Sequence, residues 1–260
     1  MIPAGFAGVE AQLWLWLFAM IRPGAAFLAA PIFGATFVPV QLRLILALAI
    51  GIPALGVTDV TLPDGGLATI DGFMLVAGEV MAGLAIGFAV QIGFSAALIA
   101  GELIGNAMGL GFAAMVDPAT GQQNPALSQF LSILGTFLFL SIGGHLALAA
   151  TIVESYRALP PGDAWISAES IRGLVHFGGI LFAAGLSIAL PVGFSIVLVQ
   201  LVMGMLSRTA PALNLFAVGF PAALLAGMVL LAIAAPIMGD GIIAAIQAGL
   251  EESRRIAIGG

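Results

Sequence analysis

GELIGNAMGLGFAAMVDPATGQQNP, residues 101–125, lies between two long apolar runs and changes character halfway along. Its first half continues a helix, with glycines at Gly101, Gly105 and Gly109. From Met115 onward, Asp117-Pro118, Thr120-Gly121 and Asn124-Pro125 each favour a turn over helix continuation. A helix therefore feeds an irregular polar loop. Backbone of that kind leaves peptide groups unpaired in hydrocarbon, so it must be buried in protein or line a watery space. A gate is the first function this suggests.

Followed at every fourth position, the same helix presents Ala85, Ala89, Gly93, Ala97, Gly101, Gly105, Gly109 and Ala113. Such a ridge lets a second helix backbone come close, as in small-residue membrane pairs, and Ala97, Gly101 and Gly105 are the members expected to pack. The competing account is chance, because 35 of the 260 residues are Gly. Composition also sets the class. The chain is 61% hydrophobic and 8% charged with a mean hydropathy of +1.18, where a soluble domain carries about a quarter charged residues. The expected fold is an all-α integral membrane protein of kinked and broken apolar helices.

Several function classes fall away. All seven basic residues are Arg, set against thirteen acidic ones, so no basic stripe exists for nucleic acid. Without Lys there is neither a P-loop phosphate contact nor a Schiff base. Without Cys there is no disulfide or thiolate chemistry. His145 and His176 are too far apart to form a local ligand pair, and HExxH is absent. Gly93-Phe94-Ser95 resembles half of an intramembrane serine-protease signature, but no His is placed to act as base. Gly239-Asp240 has neither the preceding Gly nor a second buried Asp. No catalytic residue, metal or cofactor is expected.

In chain order, a single membrane domain is expected across 1–260, with apolar segments at about 11–31, 42–57, 72–114, 127–153, 174–206 and 212–238. The first carries Arg22-Pro23 and should kink where Pro23 removes a hydrogen bond. The second is too short to span with ease. The third is too long for one perpendicular crossing, so it must bend, break or leave the bilayer. Leu127 to Val153 reads as one helix of spanning length. Residues 154–172 form a polar connector, and the 174–206 run needs a kink or a hairpin at Pro191. A tail at 239–260 reads as amphipathic, partly helical and solvent-facing.

Polar groups inside apolar sequence are Arg22, Glu79, Glu102, His145 and Arg208. Arg22 either faces partners or a watery interior, or snorkels to an interface. Glu79 and Glu102 must face a cavity, find an Arg or take up a proton. Their two readings are proton coupling and a structural hydrogen bond to a neighbouring helix. His145 has two readings, a catalytic or proton-shuttle group and a hydrogen bond to a neighbour near a helix end, the second being the plainer.

Gly101-Glu102, Met108-Gly109, Phe112, Val116-Asp117-Pro118, Gly144-His145, Leu159-Pro160, Pro191, Arg208, Ala210-Pro211, Asn214, Phe216 and Gly219-Phe220-Pro221 together resemble the FliR family. This is the flagellar branch of the type III export gate proteins, whose other branch serves virulence injectisomes. Arg22, Gly24-Ala25, Pro31, Pro39 and Arg43 are also similar, so the likeness runs over about residues 10–240. Ala212 and Thr209 depart from the pattern, where a Gln and a larger residue are expected.

The resemblance implies a subunit that joins FliP and FliQ in a closed helical gate at the bacterial inner membrane, within the flagellar basal body. It also implies neighbours FlhB and FlhA, membrane lipid, and unfolded flagellar subunits as transient substrates. Residues 106–123 match the family's plug loop, so Gly109, Gly111, Phe112, Met115, Val116, Asp117 and Pro118 would close the pore at rest. Glycines supply mobility there, and Phe112, Met115 and Val116 a soft apolar seal. Three other readings stand: a stand-alone transporter or channel using Glu79 and Glu102, an injectisome homologue of the same gate, and a subunit that caps a ring without touching substrate.

Overall fold

The computed structural model describes residues 7–56, 69–110, 126–162, 164–209 and 215–259. Among them are eight α-helices and no strand: α1 (Ala7–Ala19), α2 (Ile21–Ala29), α3 (Val40–Leu55), α4 (Ile70–Ala107), α5 (Ala126–Ser141), α6 (Gly144–Ala158), α7 (Ala168–Thr209) and α8 (Leu215–Ala257). Four stretches are long and apolar enough to cross a membrane: Gln12–Ala29, Ile70–Ala107, Ala168–Thr209 and Pro221–Ala257. At about 1.5 Å per residue, the 38 residues of α4 reach about 57 Å, nearly twice a hydrocarbon core of about 30 Å. α3, with 16 residues, falls short of that core at about 24 Å.

Local chemistry places the helix ends. Pro23 is the third residue of α2, in the first turn, where its missing N–H is one that a helix leaves unpaired anyway. In a continuous helix its ring would crowd the Ala19 carbonyl and leave it without a donor, and the first span breaks at Met20. The Thr69 hydroxyl accepts the Gly72 N–H at 3.1 Å at the start of α4. The Ser167 hydroxyl accepts the Ser170 N–H at 3.0 Å at the start of α7. Between α2 and α3 the chain turns at Ile32, whose φ is +68°. Phe33 N–H donates across it to Pro31 O at 2.7 Å, a γ-turn.

Three expectations change. The run from Leu127 to Val153 is not one helix, because α5 ends at Ser141 and α6 begins at Gly144. Gly143 sits between them at φ +73°, a left-handed conformation that a glycine adopts without penalty. Pro191 makes no hairpin, since α7 runs unbroken through it. The connector is shorter than its polarity suggests, as α6 continues to Ala158 and α7 starts at Ala168. The tail continues α8 as far as Ala257 and has two faces: Glu252, Ser253, Ile256 and Ala257 are buried, while Glu251, Arg254 and Arg255 are exposed.

Two compact units are present. The first comprises residues 1–93, 143–178 and 247–260, and the second 94–142 and 179–246. In the first, Phe18, Ala26, Ile86, Val90, Leu148 and Ile152 are buried. α2 lies directly on α4 there: a Cβ on Gly83 would stand 2.8 Å from Ala25 Cβ, and one on Gly87 would stand 2.9 Å from the Ala26 carbonyl carbon. Further along the same helix, a Cβ on Gly249 of α8 would stand 3.0 Å from Ala89 O and 3.1 Å from Gly93 Cα. In the second unit, Ala97, Ile104, Leu131, Val192 and Ile242 are buried. The Gly101 position leaves no room for a side chain, with Ser128 N 2.7 Å from where its Cβ would be. A Cβ on Gly105 would stand 3.9 Å from Leu127 Cβ, and Ala97 Cβ lies 3.6 Å from a Cβ position on Gly135.

Candidate functional site

The most concentrated polar chemistry among the described residues lies in the first unit, around Arg22. Because the helix restarts at Ile21, Arg22 leaves the first turn of α2 pointing into the packing between α2, α4 and α6, and it is fully buried. Its Nε–H donates to Glu79 Oε2 at 2.8 Å, and Nη2 donates to Glu79 Oε1 at 2.7 Å. This two-pronged pairing matches the guanidinium fork to a carboxylate. Nη2 also donates to Leu159 O at 2.8 Å, and Nη1 to the Ser155 hydroxyl at 3.0 Å. The Tyr156 ring lies under the guanidinium carbon at 4.1 Å from the ring centroid, a cation–π contact strengthened by the absence of water. The Tyr156 hydroxyl donates to Ala19 O at 3.1 Å.

A charge taken out of water costs several kcal/mol unless it is paired and its remaining donors are satisfied. Here Glu79 supplies the counter-charge and α6 the other acceptors. The cluster therefore ties α2, α4 and α6 together, because each of the three contributes a group to it. Of the two choices for Arg22, burial against partners is the one observed, and of the three fates open to Glu79, it finds an Arg.

The other polar residues go elsewhere. Glu102 and Arg208 are exposed on the chain, which corrects their placement among enclosed groups. Glu102 is turned off the face by which neighbouring Gly101 meets α5. Arg208 extends from the last turn of α7, where a cation is favourable beside unpaired carbonyls. His145 is half-buried, and its Nδ1 is enclosed without a hydrogen-bond partner among the described residues. Gly109 has φ +79° just past the end of α4. Gly111, Phe112, Met115, Val116, Asp117 and Pro118 lie outside the described residues. No group of His, Asp and Glu suited to a metal ion occurs among the described residues.

Sequence reading missed Ser155, Tyr156 and the Leu159 carbonyl. Glu154 and Arg157 made the region read as a loop, yet Thr151, Ile152, Ser155, Tyr156 and Leu159 are buried at helical spacing. That period was the available signal.

All-helical architecture, apolar helices that outrun a bilayer and an Arg–Glu pair sealed between them define an integral membrane protein. Residues 13–249 match the family described as bacterial export proteins, family 1, and the chain belongs to that family. It is 34% identical over 238 residues to flagellar biosynthetic protein FliR of Escherichia coli K12, covering 88% of this chain and 89% of that one. It is 36% identical over 170 residues to FliR of Pectobacterium carotovorum, 65% of each chain. With FliR of Aquifex aeolicus it shares 30% identity over 208 residues, 80% of each. Its setting is thus a membrane and its process flagellar protein export.

Proposed function

We propose that this chain is a subunit of the flagellar type III export gate in the bacterial inner membrane. It assembles with FliP and FliQ, neighbours FlhA and FlhB, and passes unfolded flagellar subunits. The observation that carries this reading is the family match over residues 13–249. Helices of 38, 42 and 43 residues support it, since they suit a protein assembly extending beyond the bilayer better than a lone bundle within it. Residues 106–123 form the plug, entered through the left-handed turn at Gly109. A stand-alone transporter is the weaker reading, because Glu79 is already occupied by Arg22.

Co-expressed with FliP and FliQ and purified in detergent, the 26.3 kDa chain should run in one large complex containing both, as native mass spectrometry would read. A monomer or homodimer free of both would overturn the gate assignment. Replacing residues 109–119 by a short Gly-Ser linker should raise the small-ion leak of the membrane several-fold. Unchanged leak with export intact would remove the plug from the scheme.

A further inference from the structure

Pro23 removes a specific hydrogen bond. In a continuous helix the N–H of residue 23 would donate to the carbonyl of residue 19, and proline has no N–H to give. Ala19 O is buried, because Ala19 is fully enclosed. It also faces α3 so closely that a Cβ on Gly51 would stand 2.7 Å from the Ala19 carbonyl carbon. A buried carbonyl left unpaired is costly, and water has no room to reach this one. The donor that arrives is the Tyr156 hydroxyl, 3.1 Å away and 137 residues along the chain. The same ring carries the Arg22 guanidinium on its face at 4.1 Å.

We infer that Tyr156 is a positioning residue for the break in the N-terminal span: its hydroxyl replaces the backbone donor that Pro23 withholds, and its ring seats Arg22 toward Glu79. The carbonyl freed by the break that Pro23 makes and the placement of the buried charge thereby both depend on one side chain. Neither half works alone. Without the hydroxyl, Ala19 O would be an orphan acceptor between α1 and α3. Without the ring, the guanidinium would lose the face on which it rests beside Glu79.

The dependence on Pro23 separates this role from ordinary packing. In the full-length chain in detergent, Tyr156→Phe should lower the thermal midpoint by about 2–4 °C, the effect of one lost hydrogen bond in a chain of this size. In a Pro23→Ala background, where residue 23 regains its N–H, the same substitution should shift the midpoint by less than about 1 °C. Equal shifts in both backgrounds would reduce Tyr156 to a packing residue. A second measurement needs no substitution, because the chain has a single Tyr. The tyrosine Fermi doublet in the Raman spectrum of the native protein should show the hydroxyl as a donor. A doublet of the acceptor or unbonded type would overturn the assignment even if Pro23→Ala does not fold.

Discussion

Glu79→Leu should destabilise the chain by about 3–5 kcal/mol, because it leaves Arg22 charged, buried and without its counter-ion. Both partners are fully enclosed at 0% exposure, so no water can take the place of the lost carboxylate. For a chain of this length that corresponds to a drop of roughly 6–20 °C in thermal midpoint, with a matching loss of protein from membranes. The test of mechanism is the double variant. Arg22→Met with Glu79→Leu exchanges the pair for apolar side chains of similar volume, an exchange that is often neutral. It should recover at least half of the loss, since Ser155 keeps its bond to Ile152 O at 2.7 Å. Leu159 O loses a donor and accounts for what is not recovered. A double variant as unstable as Glu79→Leu would mean that the acid matters for something other than Arg22.

Gly87→Val should have an effect of similar size by a different route. A Cβ there would stand 2.9 Å from the Ala26 carbonyl carbon and 3.1 Å from its Cα, and backbone cannot swing aside as a side-chain tip can. Overpacking of this kind costs about 1–3 kcal/mol by itself. More follows here, because Ala26 lies one helical turn after Arg22, and pushing α2 away from α4 stretches the ion pair. Gly78→Ala on the same helix is the control. Its Cβ would be 3.8 Å from Ala164, an ordinary contact, and alanine favours the helix by about 1 kcal/mol. Thermal midpoints of the two purified variants decide the matter. Were Gly87→Val as stable as Gly78→Ala, the close approach of α2 and α4 would carry no weight.

How far the sequence revealed this depends on the kind of signal. Apolar composition and helix length were plain, because a membrane demands both over whole segments. The Arg22–Glu79 pair was half legible: each residue stood out as a charge in apolar surroundings, but 57 residues separate them, and no local period joins one to the other. Gly83 and Gly87 went unremarked beside the ridge of every fourth residue, although both stand against α2 with no room for a side chain. With small residues this abundant, spacing alone could not say which faces meet. The break at Gly143 was hidden for a related reason. Gly143-Gly144 is tolerable inside an apolar helix, and only the backbone angle of Gly143 shows that the run divides there. Tyr156 was invisible because its role is complementary to a missing atom, the Pro23 amide hydrogen.

The sequence separation of the ion pair also sets a schedule. A ribosome adding about 5–20 residues per second makes Glu79 roughly 3–11 s after Arg22, given the 57-residue interval. Ser155, 133 residues after Arg22, arrives later still, and Tyr156 directly follows it. Throughout that time Arg22 lacks the carboxylate it pairs with in the folded protein. Its final pairing waits for α4, so the order in which these contacts settle is constrained by chemistry that the finished protein conceals.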